Sequence, residues 1–140
     1  MSENTQEKME AKARGVNIGA SRKHCTEICS FIKGDNVDKA INKLEKVIDK
    51  ELAVPYTKYN SDLAHKKGDM DAGRYPVNAS KEVLKVVENA KNNAVYNGMS
   101  DENLFIAECF ATMGNRYLTP KRNRGRKTKS AHVTIKLRER

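Results

Sequence analysis

The segments NLFIAECFAT (Asn103–Thr112) and SAHVTIKLR (Ser130–Arg138) enclose MGNRYLTPKRNRGRKTK (Met113–Lys129), and their relation decides the fold. In the second segment Ala131, Val133, Ile135 and Leu137 alternate with His132, Thr134, Lys136 and Arg138. Period-two alternation marks a half-buried strand. In the first, Leu104, Ile106 and Phe110 alternate with Phe105, Ala107, Cys109 and Ala111, so both faces are largely apolar. Together they predict a β-hairpin. The stretch between them carries Arg116, Lys121, Arg122, Arg124, Arg126, Lys127 and Lys129, and no acid. Like charges facing each other across two strands repel. Such an arm calls for an anionic partner along both sides, RNA first among them. Fully extended at ~3.3 Å per residue, it would reach on the order of 50 Å.

Working outward, helical periodicity replaces alternation. Val83, Leu84, Val87, Ala90 and Ala94 form one stripe, stopped by Asn97-Gly98, with Asn78 or Ser80 as the expected cap. Val37, Ala40, Ile41, Leu44, Val47 and Ile48 form a second, capped by Asp35 or Asn36; Lys39, Lys43 and Lys46 occupy its solvated face. Cys25, Ile28, Cys29 and Ile32 form a third, with Ser21 as N-cap and Gly34 as terminator. A short strand is expected around Val16 and Ile18, and residues 1–12 read as a disordered polar tail. Residues 52–77 break the periodicity, with Pro55, Gly68, Gly73 and Pro76 as punctuation. Tyr56, Tyr59 and Tyr75 lie there among basic residues. They either pin the loop to the core or stack on bases beside neutralised phosphates.

The 140 residues fit one domain. Only 38% are hydrophobic and the formal net charge is +9, which favours nucleic acid as a partner. No apolar run approaches the ~20 residues of a membrane span. The polar N-terminus reads as neither a signal peptide nor a myristoylation site. Cys25, Cys29 and Cys109 have no disulfide or zinc spacing and read as reduced, buried thiols. His24, His65 and His132 lie far apart, and the carboxylates scatter along helices as solubilising partners. No catalytic constellation is legible, and no cofactor or small-molecule substrate is expected. A nucleic-acid-binding module using the basic helices, or a small RNA-processing enzyme, are the alternatives.

The order of short motifs resembles the universal ribosomal protein L-twenty-two family of the large subunit, called L-seventeen in eukaryotes. Ala13-Arg14-Gly15-Val16-Asn17 is similar to the opening segment of the eukaryotic branch. Ile32-Lys33-Gly34 and Lys39-Ala40 resemble its first helical junction. Val54-Pro55-Tyr56, Tyr59-Asn60 and Gly73-Arg74-Tyr75-Pro76 resemble an insertion that bacterial members lack. Asn89-Ala90, Asn93-Ala94, the tip residues Arg122, Gly125 and Arg126, and His132 complete the likeness. At the tip, Asn123 replaces the family's alanine beside an extra Arg124, and the returning arm, Lys127–His132, is a few residues shorter.

The resemblance implies an α+β fold: three helices on a small antiparallel sheet with a long projecting β-hairpin. It implies a non-enzymatic constituent of the large ribosomal subunit, cytoplasmic, with nucleolar assembly in a eukaryote. The expected partners are large-subunit ribosomal RNA, neighbouring ribosomal proteins and the nascent peptide. The expected RNA contacts are Arg14, Arg22, Lys23, Lys66, Lys67, Arg74, Tyr75, Arg116, Lys121, Arg122, Arg124, Arg126, Lys127, Lys129 and His132. Arg122, Asn123, Arg124, Gly125 and Arg126 would line the peptide exit tunnel.

Overall fold

Alternation in the last segment becomes the centre of a sheet. The structure, a computed structural model, describes residues 9–140. In chain order these form β1 (Glu10–Ile18), α1 (Arg22–Ile32), α2 (Val37–Ile48), β2 (Val54–Pro55), β3 (Gly73–Arg74), α3 (Val77–Tyr96), β4 (Leu104–Met113), β5 (Tyr117–Leu118), β6 (Lys127–Thr128) and β7 (Ala131–Glu139). The main sheet is antiparallel in the order β1-β7-β4. α1 packs on β4, α3 packs on β1 and β7, and α2 lies against α3. The fold is therefore α+β, with three helices on a small antiparallel sheet, as the family resemblance implies.

The two apolar faces of the first hairpin segment have a physical cause. Ile106 pairs with Leu137 and Glu108 with Lys136, which leaves Ala107 as an extra residue in β4. A bulge of one residue inverts the side-chain phase of a strand. Leu104 and Ile106 before it and Cys109 after it are all buried, while Phe110 is left 45% exposed. Ile28, Ile32, Leu44, Leu104, Ile106, Ile135 and Leu137 are the largest fully buried apolar side chains. Each contributes about 1.5–3 kcal/mol over an exposed position.

β1 is longer than expected. It begins at Glu10, so Glu10, Ala11 and Lys12 belong to the sheet and not to a disordered tail. Residues 1–8 of that expected tail lie outside the described residues. Buried Ala11 and Ala13 hold this end of the strand on the core. A Cβ on Gly15 would lie 2.8 Å from Val86 Cγ2, so only glycine allows β1 this close to α3. Asn93 Nδ2 donates to the Lys12 carbonyl at 2.9 Å and ties the same two elements together.

The helix stripes pack as read. Asn36 caps α2, its side chain accepting from the Asp38 N–H at 3.0 Å. Asp35 instead accepts a 2.5 Å bond from Lys43. Ser21 occupies the N-cap position of α1 without a side-chain bond. The expected cap of α3 is wrong: the helix begins at Val77 behind Pro76, and neither Asn78 nor Ser80 caps it. Ser80 is fully buried inside the helix, its hydroxyl without a partner. Proline's fixed φ positions the first turn without a hydroxyl cap.

Residues 52–76, which lead into α3, form a loop closed by a short ladder. β2 pairs with β3, and the Tyr56 N–H donates to the Ala72 carbonyl at 3.0 Å. The Lys66 N–H reaches the Asp71 carbonyl at 2.9 Å, closing the outer turn.

Candidate nucleic-acid interface

The arm is rooted by a small polar knot. β1 bulges after Gly15, and Asn17 takes a positive φ of 51°. That places the Asn17 N–H 3.0 Å from His132 Nδ1, to which it donates. Asn17 Oδ1 accepts from the Asn115 N–H at 3.1 Å, and Ser130 Oγ bonds to the Asn115 carbonyl. The Gly114 N–H closes the knot on the Ser130 carbonyl at 3.0 Å. A Cβ at Gly114 would meet Ser130 Oγ at 2.5 Å and Asn17 Oδ1 at 2.8 Å, so glycine is required there by close approach.

Beyond the knot the arm has no core. β5 and β6 pair only through Tyr117↔Thr128 and Leu118↔Lys127. From Met113↔Ala131 to Tyr117↔Thr128 the outgoing side uses one more residue than the returning side. The tip turns through Lys121–Asn123 and through Gly125, whose φ is +84°. Apart from half-exposed Gly114 and Thr119, every residue from Met113 to Lys129 is exposed. Among the described residues, none of the arm's seven cations has a carboxylate partner, whereas Lys39, Lys43, Lys85, Lys91, Lys136 and Arg138 of the body all do.

The positive surface continues from the arm onto the body. Arg22 and Lys23, at the start of α1, line one cleft with Arg116 and Lys129. α1 has no acid in its first turn, so its N-terminal dipole adds to the positive field. The Tyr59 ring lies 5.7 Å from the Arg22 guanidinium and 5.4 Å from both Lys23 and Lys58. Lys66 lies 5.5 Å from the Tyr75 ring. A cleft of about 640 Å³ brings His24, Lys66, Arg74 and Tyr75 together.

The three loop tyrosines differ in burial. Tyr56 is a pin: it is 4% exposed and its hydroxyl meets His24 Nδ1 at 2.5 Å. Burial pushes the Tyr56 phenol up to about 12, and burial with Arg74 and Lys129 lowers the His24 pKa. The two therefore meet as a protonated phenol and a neutral imidazole, the donor being set by the imidazole tautomer. Tyr59 and Tyr75 stay half-buried among cations.

Of the expected RNA contacts, Arg22, Lys23, Arg116 and Lys129 converge, and Lys66, Arg74 and Tyr75 form the neighbouring group. Lys121, Arg122, Arg124, Arg126 and Lys127 extend along the tip. His132 sits in the knot, with Nδ1 engaged by protein. Lys67 is exposed beside Gly68, and Arg14 pairs with Thr134 on the sheet face away from the helices; neither joins the belt.

Sequence reading missed Glu27. It is 1% exposed, and its carboxylate accepts three consecutive backbone N–H bonds, from Thr57 at 3.1 Å, Lys58 at 3.0 Å and Tyr59 at 3.1 Å. A buried carboxylate is tolerated when its lone pairs are this fully engaged. The only signal available was its position beside the apolar stripe of α1. Burial pushes the Cys25 thiol up to about 12, and contact with Cys109 and burial push Cys29 up too. These thiols are protonated packing groups.

A model of the ribosomal protein L22p/L17e family matches residues 13–138. The large ribosomal subunit protein uL22 of Methanococcoides burtonii is 40% identical over 129 residues, covering 91% of this chain and 85% of the relative. The protein of the same name from Methanocaldococcus jannaschii is 39% identical over 138 residues, covering 92% and 87%. That of Methanococcus aeolicus is 44% identical over 106 residues, covering 74% and 69%.

Proposed function

Since the chain belongs to the ribosomal protein L22p/L17e family, we propose that it binds large-subunit ribosomal RNA through the arm and the basic belt at the arm's root. It is a structural constituent of the large ribosomal subunit, of archaeal/eukaryotic type, and not an enzyme. The observation that carries the RNA reading is the arm itself, seven exposed cations without a carboxylate partner among the described residues.

Phosphates along both sides of the arm supply the missing counter-charge, and release of their condensed ions drives association. Arginine's planar fork bridges phosphates and stacks on bases, which suits the tip residues Arg122, Arg124 and Arg126. Gly125 turns the chain between them at a φ that other residues avoid. In this reading the tip, Arg122 to Arg126, forms part of the exit-tunnel wall and faces the nascent peptide. The arm also supports subunit assembly, and the body docks among neighbouring ribosomal proteins. Assembly takes place in the nucleolus if the source is eukaryotic.

The test is Arg122→Glu combined with Arg126→Glu. Incorporation into large subunits, followed by sedimentation, should fall sharply. The log–log salt slope of RNA binding should lose about two units, one per phosphate contact. Wild-type incorporation of the double variant would contradict the reading.

A further inference from the structure

The Glu27 arrangement sets up a second feature. A buried carboxylate holds three successive N–H groups of the insertion, and the third belongs to Tyr59. Removing a charge from water is costly, and among the described residues the hydrogen bonds that compensate it come from fixing Thr57, Lys58 and Tyr59 in place. The result is an aromatic ring on a rigid mount, half-exposed, at the edge of a cleft of about 260 Å³ also lined by Lys23, His24, Lys58 and Arg74. Arg22, Lys23 and Lys58 stand within 5.4–5.7 Å of that ring, and none of them has an acidic partner among the described residues. Three like charges around one ring repel one another unless an anion joins them.

We infer that Tyr59 with Arg22, Lys23 and Lys58 is a preorganised seat for one unpaired nucleotide of RNA, its base on the tyrosine ring and its phosphate among the cations. Aromatic rings take bases only where these are unstacked, in single-stranded loops, bulges and ends. Arg22 and Lys23 also line the cleft at the arm's root with Arg116 and Lys129, so one RNA strand can run from the arm to Tyr59 without leaving positive surface. That continuity favours a polyanion over an isolated acidic side chain. The inference rests on the RNA-binding reading above.

The test uses full-length protein and protein-free archaeal large-subunit ribosomal RNA in filter binding. Tyr59→Leu keeps every charge and removes the stacking face. Its affinity should fall about tenfold while the salt slope stays at the wild-type value, since base–aromatic stacking is insensitive to counterion release. Tyr59→Phe should bind as wild type does. Ultraviolet crosslinking of the wild-type complex should join the Tyr59 peptide to an unpaired nucleotide. If Tyr59→Leu, with unchanged melting, binds as wild type while the arm double variant loses affinity, the seat is absent and the RNA reading stands. Equal losses in the Phe and Leu variants would replace stacking by a hydroxyl contact and overturn the inference. A crosslink on the arm but none at Tyr59 would also overturn it. Absence of wild-type binding would remove the RNA reading itself.

Discussion

Body and arm carry the same sign of charge and handle it differently. In the body, Lys43 meets Asp35 at 2.5 Å, Lys91 meets Asp38 at 2.8 Å, and Lys136 meets Glu108 at 3.1 Å across the sheet. In the arm, Lys121, Arg122, Arg124, Arg126 and Lys127 meet no carboxylate among the described residues. Paired surface charges contribute little to stability, typically about 0–1 kcal/mol each. What separates the regions is therefore where neutralisation comes from. The body pairs six of its cations with its own carboxylates; the arm, among the described residues, pairs none of its seven. The Tyr59 mount stands between the two, with unpaired cations like the arm and a rigid scaffold like the body.

Charge reversal in the arm has the strongest consequence. Arg122→Glu with Arg126→Glu should weaken RNA binding on the order of 100-fold at moderate salt. The same variant should unfold within about 0.5 kcal/mol of wild type, because exposed positions away from packing rarely matter more. Both effects must appear together, and a large loss of melting temperature would mean the arm is part of the body.

Glu27→Gln tests the mount. An amide supplies one acceptor oxygen in place of a carboxylate's two; with that oxygen kept on Lys58 and Tyr59, its NH2 donor is brought against the Thr57 N–H. Stability should fall by about 3 kcal/mol, read as a lower midpoint in urea. Amide exchange at Thr57–Tyr59 should accelerate well beyond that of α1. Unchanged exchange there would show that the mount does not depend on this carboxylate.

Gly114→Val sharpens the boundary between the regions. A Cβ there overlaps Ser130 Oγ and Asn17 Oδ1, so the knot must open. The expected cost is about 1–3 kcal/mol, with loss of protection at Gly114 and Asn115 and little change at β1 residues before Gly15.

The smallest effect is the pH dependence of His24. Burial first, then Arg74 and Lys129, hold its pKa below the ordinary 6.5. A lowered histidine pKa means the unfolded chain binds the proton more readily than the folded one. Its contribution is intact above pH 6.5 and is lost as pH falls from there toward the folded value. His24→Gln should flatten that acid limb of the melting profile. An unchanged limb would assign it to other groups.

Much of the fold is legible in sequence because its elements rest on periodicity. The stripe of α2 and the alternation of Ala131, Val133, Ile135 and Leu137 are local patterns with one reading. The bulge at Ala107 is not local: the segment looks apolar on both faces until the register with β7 shows the phase change. The start of β1 hides for a similar reason, since Glu10 and Lys12 read as polar tail until Ala11 and Ala13 find the core. The arm's charge is visible in composition. Glu27 is not, because the three N–H groups that make it tolerable lie about thirty residues downstream on a loop.

The difference between arm and body is tested most directly by backbone ¹⁵N relaxation on the free protein. Arg116–Lys129 should show order parameters below about 0.6, against about 0.85 for α1–α3 and for Thr57–Tyr59. An arm as rigid as the helices in the absence of RNA would contradict the account.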